Sequence, residues 1–184
     1  MIIIDTEAIL KNRNFFSARG AGILGFSMFG SKKIYALDEN MELKYDEIEE
    51  FLEKYKDSPK FIFGFTFMIW QHFYKKLVSD GRKLDLSNSV IIHGGGWKKL
   101  ISESVSSEMF SQKLHERCNI EKVHDYYGMV EQTGTIYMEC EQGHLHAPAY
   151  SDVIIRRPFD FNEAELGEKG IIQVVSVLPI SYPG

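Results

Sequence analysis

Hydrophobic and polar positions along the chain change their period more than once. In "LKYDEIEEFLEKYK" (43–56), Tyr45, Ile48, Leu52 and Tyr55 recur at helical spacing with acids between them. That pattern predicts an amphipathic helix. Pro59 ends it, and "KFIFGF" follows as a short buried strand. "TFMIWQHFYKKLVSDG" (66–81) reads as a second helix, with Thr66 as N-cap, Lys75 and Lys76 near its end and Gly81 as its stop. "NSVIIHGGG" reads as a strand running into a glycine turn, "SSEMFSQKLHERC" as a third helix with a serine-rich start, and "IEKVHDYYG" as another strand. Helix and strand alternate, which argues for an α/β layer with a largely parallel sheet. No first strand of that layer stands out near the N-terminus, and the layer is expected over residues 19–134.

After Gly134 the pattern becomes strand-rich. "TIYMECEQGHLHAP" predicts two short strands around Gln142-Gly143. "SDVIIRRP" and "GIIQVVSVL" predict two more, separated by the acidic loop "FDFNEAELGEKG". Residues 135–184 are expected to extend the same domain with antiparallel strands. The fold class predicted is mixed α/β, a largely parallel sheet flanked by helices, followed by a strand-rich C-terminal part. The Pro-Gly turn signal at the end of "IIQVVSVLPISYPG" normally leads to another element. The chain is expected to be a piece of a longer protein, truncated at both ends.

Composition narrows the function classes. The 184 residues are 44% apolar and 13% aromatic, enough for a packed core. The net charge is −5 with no basic stripe, which argues against nucleic acid as a partner. The N-terminus lacks the basic region of a signal peptide. No apolar run approaches the ~20 residues that span a bilayer. Two cysteines, Cys118 and Cys140, fit a reducing compartment, and a cytoplasmic location is expected.

Ligands of open α/β sheets sit beyond the carboxyl ends of the strands. Two glycine-bearing strand ends occur here, "IIHGGGW" and "VHDYYGMVEQTG". Gly94, Gly95 and Gly96 expose backbone groups with no Cβ in the way. Tyr126 and Tyr127 offer ring faces, and the Glu131 carboxylate suits a hard cation such as Mg²⁺. Taken singly, a glycine run is most often a turn, a tyrosine pair packing and a lone Glu a solvated acid. Together they outline a nucleotide site with its metal. A rival constellation lies in Cys118, Cys140, His144 and His146, a candidate set for structural Zn²⁺, within a window that also holds His115 and His124. Its spacing matches none of the common zinc patterns.

"YGMVE" resembles the Tyr-Gly-x-Thr-Glu motif of adenylate-forming acyl ligases. "HGGGWKKL" is similar to their preceding Gly-Gly adenine-binding segment, and "GEKGIIQVVSVLP" to a later Gly-Glu-x-Gly strand segment. With "FGFTFMIWQHF" and "DYYGMVEQTG", the nearest likeness is to the acyl-protein synthetases, the long-chain-fatty-acid ligase components of bacterial fatty-acid reductase. The resemblance runs from about Arg19 to Gly184. It implies a fragment of the large domain of an adenylate-forming ligase. It also implies ATP and Mg²⁺, a carboxylic acid, such as a long-chain fatty acid, activated as an acyl-adenylate, and transfer of the acyl group to a thiol acceptor protein. By position, Gly94, Gly95 and Gly96 would line the adenine, Tyr126 or Tyr127 would stack on it, Gly128 would allow a tight turn, and Glu131 would hold the metal as the catalytic carboxylate. Val130 stands where many of these ligases carry a phosphate-contacting Thr. Their phosphate loop, ribose-binding Asp and C-terminal Lys have no counterpart in these residues, so the chain alone is expected to be inactive. The alternative reading is a nucleotide- or protein-binding module that kept the scaffold without the chemistry.

Overall fold

The computed structural model describes residues 1–11, 18–128 and 135–178. Nine strands are described: β1 (Ile2–Thr6), β2 (Ile34–Leu37), β3 (Lys60–Phe65), β4 (Ser89–Gly94), β5 (Lys122–Gly128), β6 (Ile136–Glu139), β7 (Leu145–His146), β8 (Ser151–Arg156) and β9 (Ile171–Ser176). The helices are α1 (Ala8–Lys11), α2 (Ala18–Phe26), α3 (Tyr45–Lys54), α4 (Thr66–Met68), α5 (Lys75–Ser79) and α6 (Ser107–Cys118). A π-helical stretch, Ile69–Tyr74, joins α4 to α5. The sheet order is β2-β1-β3-β4-β5-β6-β7, and β8 and β9 form a two-stranded sheet. The chain divides into two compact units, Met1–Asp125 and Tyr126–Gly184, and the division falls inside β5.

In the first unit, β1 pairs in parallel with β2 on one side and β3 on the other, and β3 pairs in parallel with β4. The layer therefore has a first strand after all, and it begins at Ile2. The expectation of none fails for a physical reason. β1 is buried at all five residues. A central parallel strand covered on both faces shows a continuous apolar run with no alternation.

The two faces of β3 are distinct. Phe61, Phe63 and Phe65 alternate with Ile62 and Gly64. On the phenylalanine side, the Phe26 ring of α2 stacks on Phe63 at 4.4 Å between centroids. On the other, Gly64 lets Ile4 and Ile69 close in, and a Cβ there would stand 2.9 Å from each. Helix α6 starts as its sequence suggests: the Ser106 side chain caps it by accepting from the Met109 N–H. At its other end Asn119 takes a left-handed conformation, φ 56°.

In the second unit, the end of β5 pairs antiparallel with β6, with Tyr127 opposite Tyr137 and Gly128 opposite Ile136. β6 pairs with β7 around a turn in which Gly143 has φ +77°. β8 and β9 form an antiparallel ribbon of six register pairs, tied by an Arg156 Nε–H to Gln173 Oε1 bond of 2.8 Å. Both pairs of strands fall where the alternation places them. No helix among the described residues is long and apolar enough to cross a membrane.

Candidate functional site

The carboxyl ends of β1, β3 and β4 are where side chains of the first unit gather into chemistry. β4 ends in "HGGGW". His93 is buried, and its ring lies 4.6 Å from that of Phe110. Its Nδ1 is 3.0 Å from Thr66 Oγ1, and the Thr66 hydroxyl is 3.1 Å from the Gly94 carbonyl. Thr66 has one proton to give and a carbonyl can only accept. Both bonds form together only when the hydroxyl donates to Gly94 and His93 Nδ1–H donates to Thr66. Asp125 Oδ1 stands 3.7 Å from the same nitrogen. Burial, helped by the charge of His124, pushes the His93 pKa down to about 4, so the ring is neutral at physiological pH.

Thr66 is therefore not the N-cap of its helix. Phe65 occupies that position with no side-chain cap, and the Thr66 side chain turns inward to bind the end of β4.

Beyond Gly94 the backbone takes unusual turns. Gly95 has φ +79°, Gly96 +65° and Lys98 +52°. At Gly95 a Cβ would come within 2.4 Å of Phe65 Cδ1, whereas at Gly96 it would meet nothing within 4 Å. Gly95 is thus required by both conformation and packing, and Gly96 by conformation alone. Trp97 then anchors the turn, 5.2 Å from Trp70 and 6.0 Å from Phe110 between ring centroids. Trp70 belongs to the π-helical stretch, a rare geometry that recurs at functional sites.

At the end of β1, Asp5 is 1% exposed and its Oδ2 is 3.0 Å from Arg19 Nε. The approach is an ion pair without hydrogen-bond alignment: neither atom has a hydrogen-bond partner among the described residues. Asp5 Oδ1 instead accepts from the Thr6 N–H. Burial raises the Asp5 pKa, against the opposing pull of Arg19. Arg19 also reaches Met68 Sδ at 3.7 Å. The sequence reading missed Asp5, Arg19, Thr66, His93 and Asp125. The one signal for Asp5 was a carboxylate ending an otherwise apolar run.

The remaining expected residues are placed as follows. In the second unit, Tyr127 is about half exposed and its ring is 6.1 Å from that of Tyr137. Tyr126, one position earlier, points to the other face of the strand. Gly128 is the last residue of β5 rather than a left-handed turn, and a Cβ there would make only ordinary contacts, the nearest at 3.8 Å. Glu131 lies outside the described residues. Of the zinc candidates, Cys118 ends α6 in the first unit, buried. Cys140, His144 and His146 surround the β6–β7 turn, which closes through backbone: the Cys140 N–H donates to the His144 carbonyl at 2.9 Å. Among the described residues, no three His, Cys, Asp or Glu side chains are grouped to hold a metal, so the expected zinc set is not assembled.

The two thiols should differ sharply in reactivity. Burial pushes the Cys118 pKa up to about 12, while Cys140 is partly exposed. Since only the thiolate is nucleophilic, iodoacetamide at pH 8 should alkylate Cys140 alone in the native protein, and both after denaturation. Mass spectrometry showing equal native labelling would contradict the buried placement of Cys118.

Comparison with solved structures gives a consistent fold. A long-chain-fatty-acid–CoA ligase (FadD1) from Archaeoglobus fulgidus superimposes with a TM-score of 0.59 at 18% identity, over 88% of this chain and 32% of that one. ATP-bound MatB from Rhodopseudomonas palustris superimposes with a TM-score of 0.57 at 13% identity, over 95% of this chain and 31% of that one. An ATP-bound RpMatB-BxBclM chimera gives 0.56 at 15% identity, over 95% and 31%. At these identities the likeness establishes the fold, and the chain spans about a third of the length of these structures. No individually curated protein matches the chain. The family description "Acyl-protein synthetase, LuxE" matches residues 1–184. With that match extending over every residue, the chain belongs to the acyl-protein synthetase family.

Proposed function

We propose that this chain is part of an ATP-dependent ligase that activates a carboxylic acid, of the fatty-acid class, as an acyl-adenylate and passes the acyl group to a thiol. The observation that carries the reading is the family match over residues 1–184. Two features of the first unit support it. The strand ends converge where open α/β sheets take ligands. The turn at Gly95 and Gly96 brings bare backbone to that edge, braced by Trp97.

In the reaction, a carboxylate oxygen attacks the α-phosphorus of ATP and pyrophosphate leaves. A thiol sulfur then attacks the acyl carbonyl carbon, AMP leaves, and the thiol proton goes to solvent. Mg²⁺ would supply charge neutralisation at the phosphates. The nucleotide roles read from the sequence for Gly94, Gly95, Gly96, Tyr126, Tyr127 and Gly128, and the Mg²⁺ role of Glu131, belong to this proposal. So does a thiol acceptor protein as partner.

The test is ATP–pyrophosphate exchange in the full-length natural protein containing this chain, with and without fatty acids of graded length. Exchange that requires both an acid and Mg²⁺ is expected. Glu131→Gln should lower it while leaving the melting temperature unchanged. Nucleotide binding without acid-dependent exchange would favour a non-catalytic module instead.

A further inference from the structure

The amino ends of the same strands, opposite the glycine turn, hold a second group of interest. β3 opens with Lys60, only 7% exposed. An ammonium withdrawn from water needs compensation. Lys60 Nζ donates to the carbonyls of Ser58 at 3.2 Å and Lys56 at 3.5 Å. An ammonium has three protons, so one donor remains. No ion pair among the described residues includes Lys60.

Its register partner on β4 is Ser89, and register partners in a parallel pair share a face. Ser89 Oγ is buried and has no hydrogen-bond partner among the described residues. Among the described residues, two buried polar groups thus sit side by side, one with a donor to spare and the other without a partner.

Lys60 lines a cavity of about 310 Å³ between α3 and the segment leading into β4, with Glu49, Glu53, Lys56, Lys83, Asp85 and Asn88 around it. The acids here are largely engaged. Glu49 is held by Arg82 at 2.6 Å and Glu53 by Lys56 at 2.8 Å. Asp85 accepts from the Ser87 N–H and hydroxyl and from Asn119. Glu49 and Glu53 line the cavity too, but each is matched by its own paired cation, so Lys60 and Lys83 outnumber the one remaining lining acid, Asp85, on a chain whose net charge is −5.

We propose that this cavity binds a small oxyanion of the phosphate class, with Lys60 and Lys83 as its cations and the Asn88 side chain as a neutral donor. Ammonium groups act as point charges for phosphate. The volume lies at the small end of ligand sites, enough for phosphate and a short organic stem. The proposal does not depend on the nucleotide reading, because it uses the other end of the strands.

The probe is inorganic phosphate, titrated into the protein at constant ionic strength maintained with chloride and followed by amide chemical shifts. Saturable shifts are expected at Lys60 and across Lys83–Asn88. Lys83→Ala removes an exposed side chain and should weaken binding roughly fivefold, the weight of one partly exposed charge contact. Lys60→Met should abolish binding, and if that variant does not fold, Lys83→Ala decides alone. Shifts confined to Gly94–Trp97 would assign phosphate to the nucleotide end and overturn the proposal. Unchanged affinity in Lys83→Ala, or identical shifts with chloride alone, would overturn it too.

Discussion

Replacing Gly95 by alanine should destabilise the first unit by about 4 kcal/mol, a large share of what holds a domain together. Two costs combine. A non-glycine residue held in the left-handed region costs roughly 1–3 kcal/mol. A methyl forced into a packed core costs roughly 1–3 kcal/mol more, and here it would press 2.4 Å from Phe65 Cδ1. Gly96→Ala is the control. Its φ is similar, but its side chain would meet open space, so only the conformational part applies, about 1 kcal/mol. Urea denaturation measures both. A Phe65→Leu/Gly95→Ala double variant separates them further, because relieving the contact should make it more stable than additivity allows. If Gly95→Ala falls within about 1 kcal/mol of Gly96→Ala, the close approach to Phe65 is wrong.

Acid should weaken the protein through His93. Its folded pKa is about 4 against 6.5 for the free side chain. The unfolded chain therefore takes up the proton first. The stability linked to the neutral ring is whole above pH 6.5, declines as pH falls, and is lost by about pH 4. The full loss is about 3 kcal/mol. The groups around the ring are Thr66, the Phe110 ring, Asp125 and the charge of His124. Carboxylates elsewhere also titrate on that path, so the informative quantity is a difference. His93→Gln should be less stable than the wild type at pH 7.5, and that gap should close by about 3 kcal/mol towards pH 4. Parallel stability curves for the two proteins would mean that His93 is not buried as described.

Much of this architecture is legible in the residues, and the parts that are not share a cause. α3, α6 and β3 follow periodicity, and Ser106 behaves as a cap because it lies exposed beside an amphipathic start. β1 escaped because burial on both faces erases the alternation that marks a strand. Thr66 misled because a cap and an inward hydroxyl look the same in sequence. Only the nearness of His93, across the β3–β4 pairing, separates them. The π-helical stretch is silent because "IWQHFY" is equally compatible with an ordinary helix. In the candidate site, the glycine run was visible as glycine, but which position tolerates no side chain depends on Phe65. Asp5 and Arg19 meet only in three dimensions.

The position of β1 also bears on how the protein is made. The strand is synthesised well before its neighbour β3: Ile3 finds its partner Phe63 roughly sixty residues later. At synthesis rates of roughly 5–20 residues per second, that edge of "IIID" stays uncovered for ~3–12 s on the ribosome. Parallel pairing across such a distance is also slow once the residues exist. During that interval the nascent chain carries a bare apolar strand, an invitation to chaperones and to neighbouring chains alike. Overproduction that outpaces chaperone supply would therefore send this protein into inclusion bodies through β1.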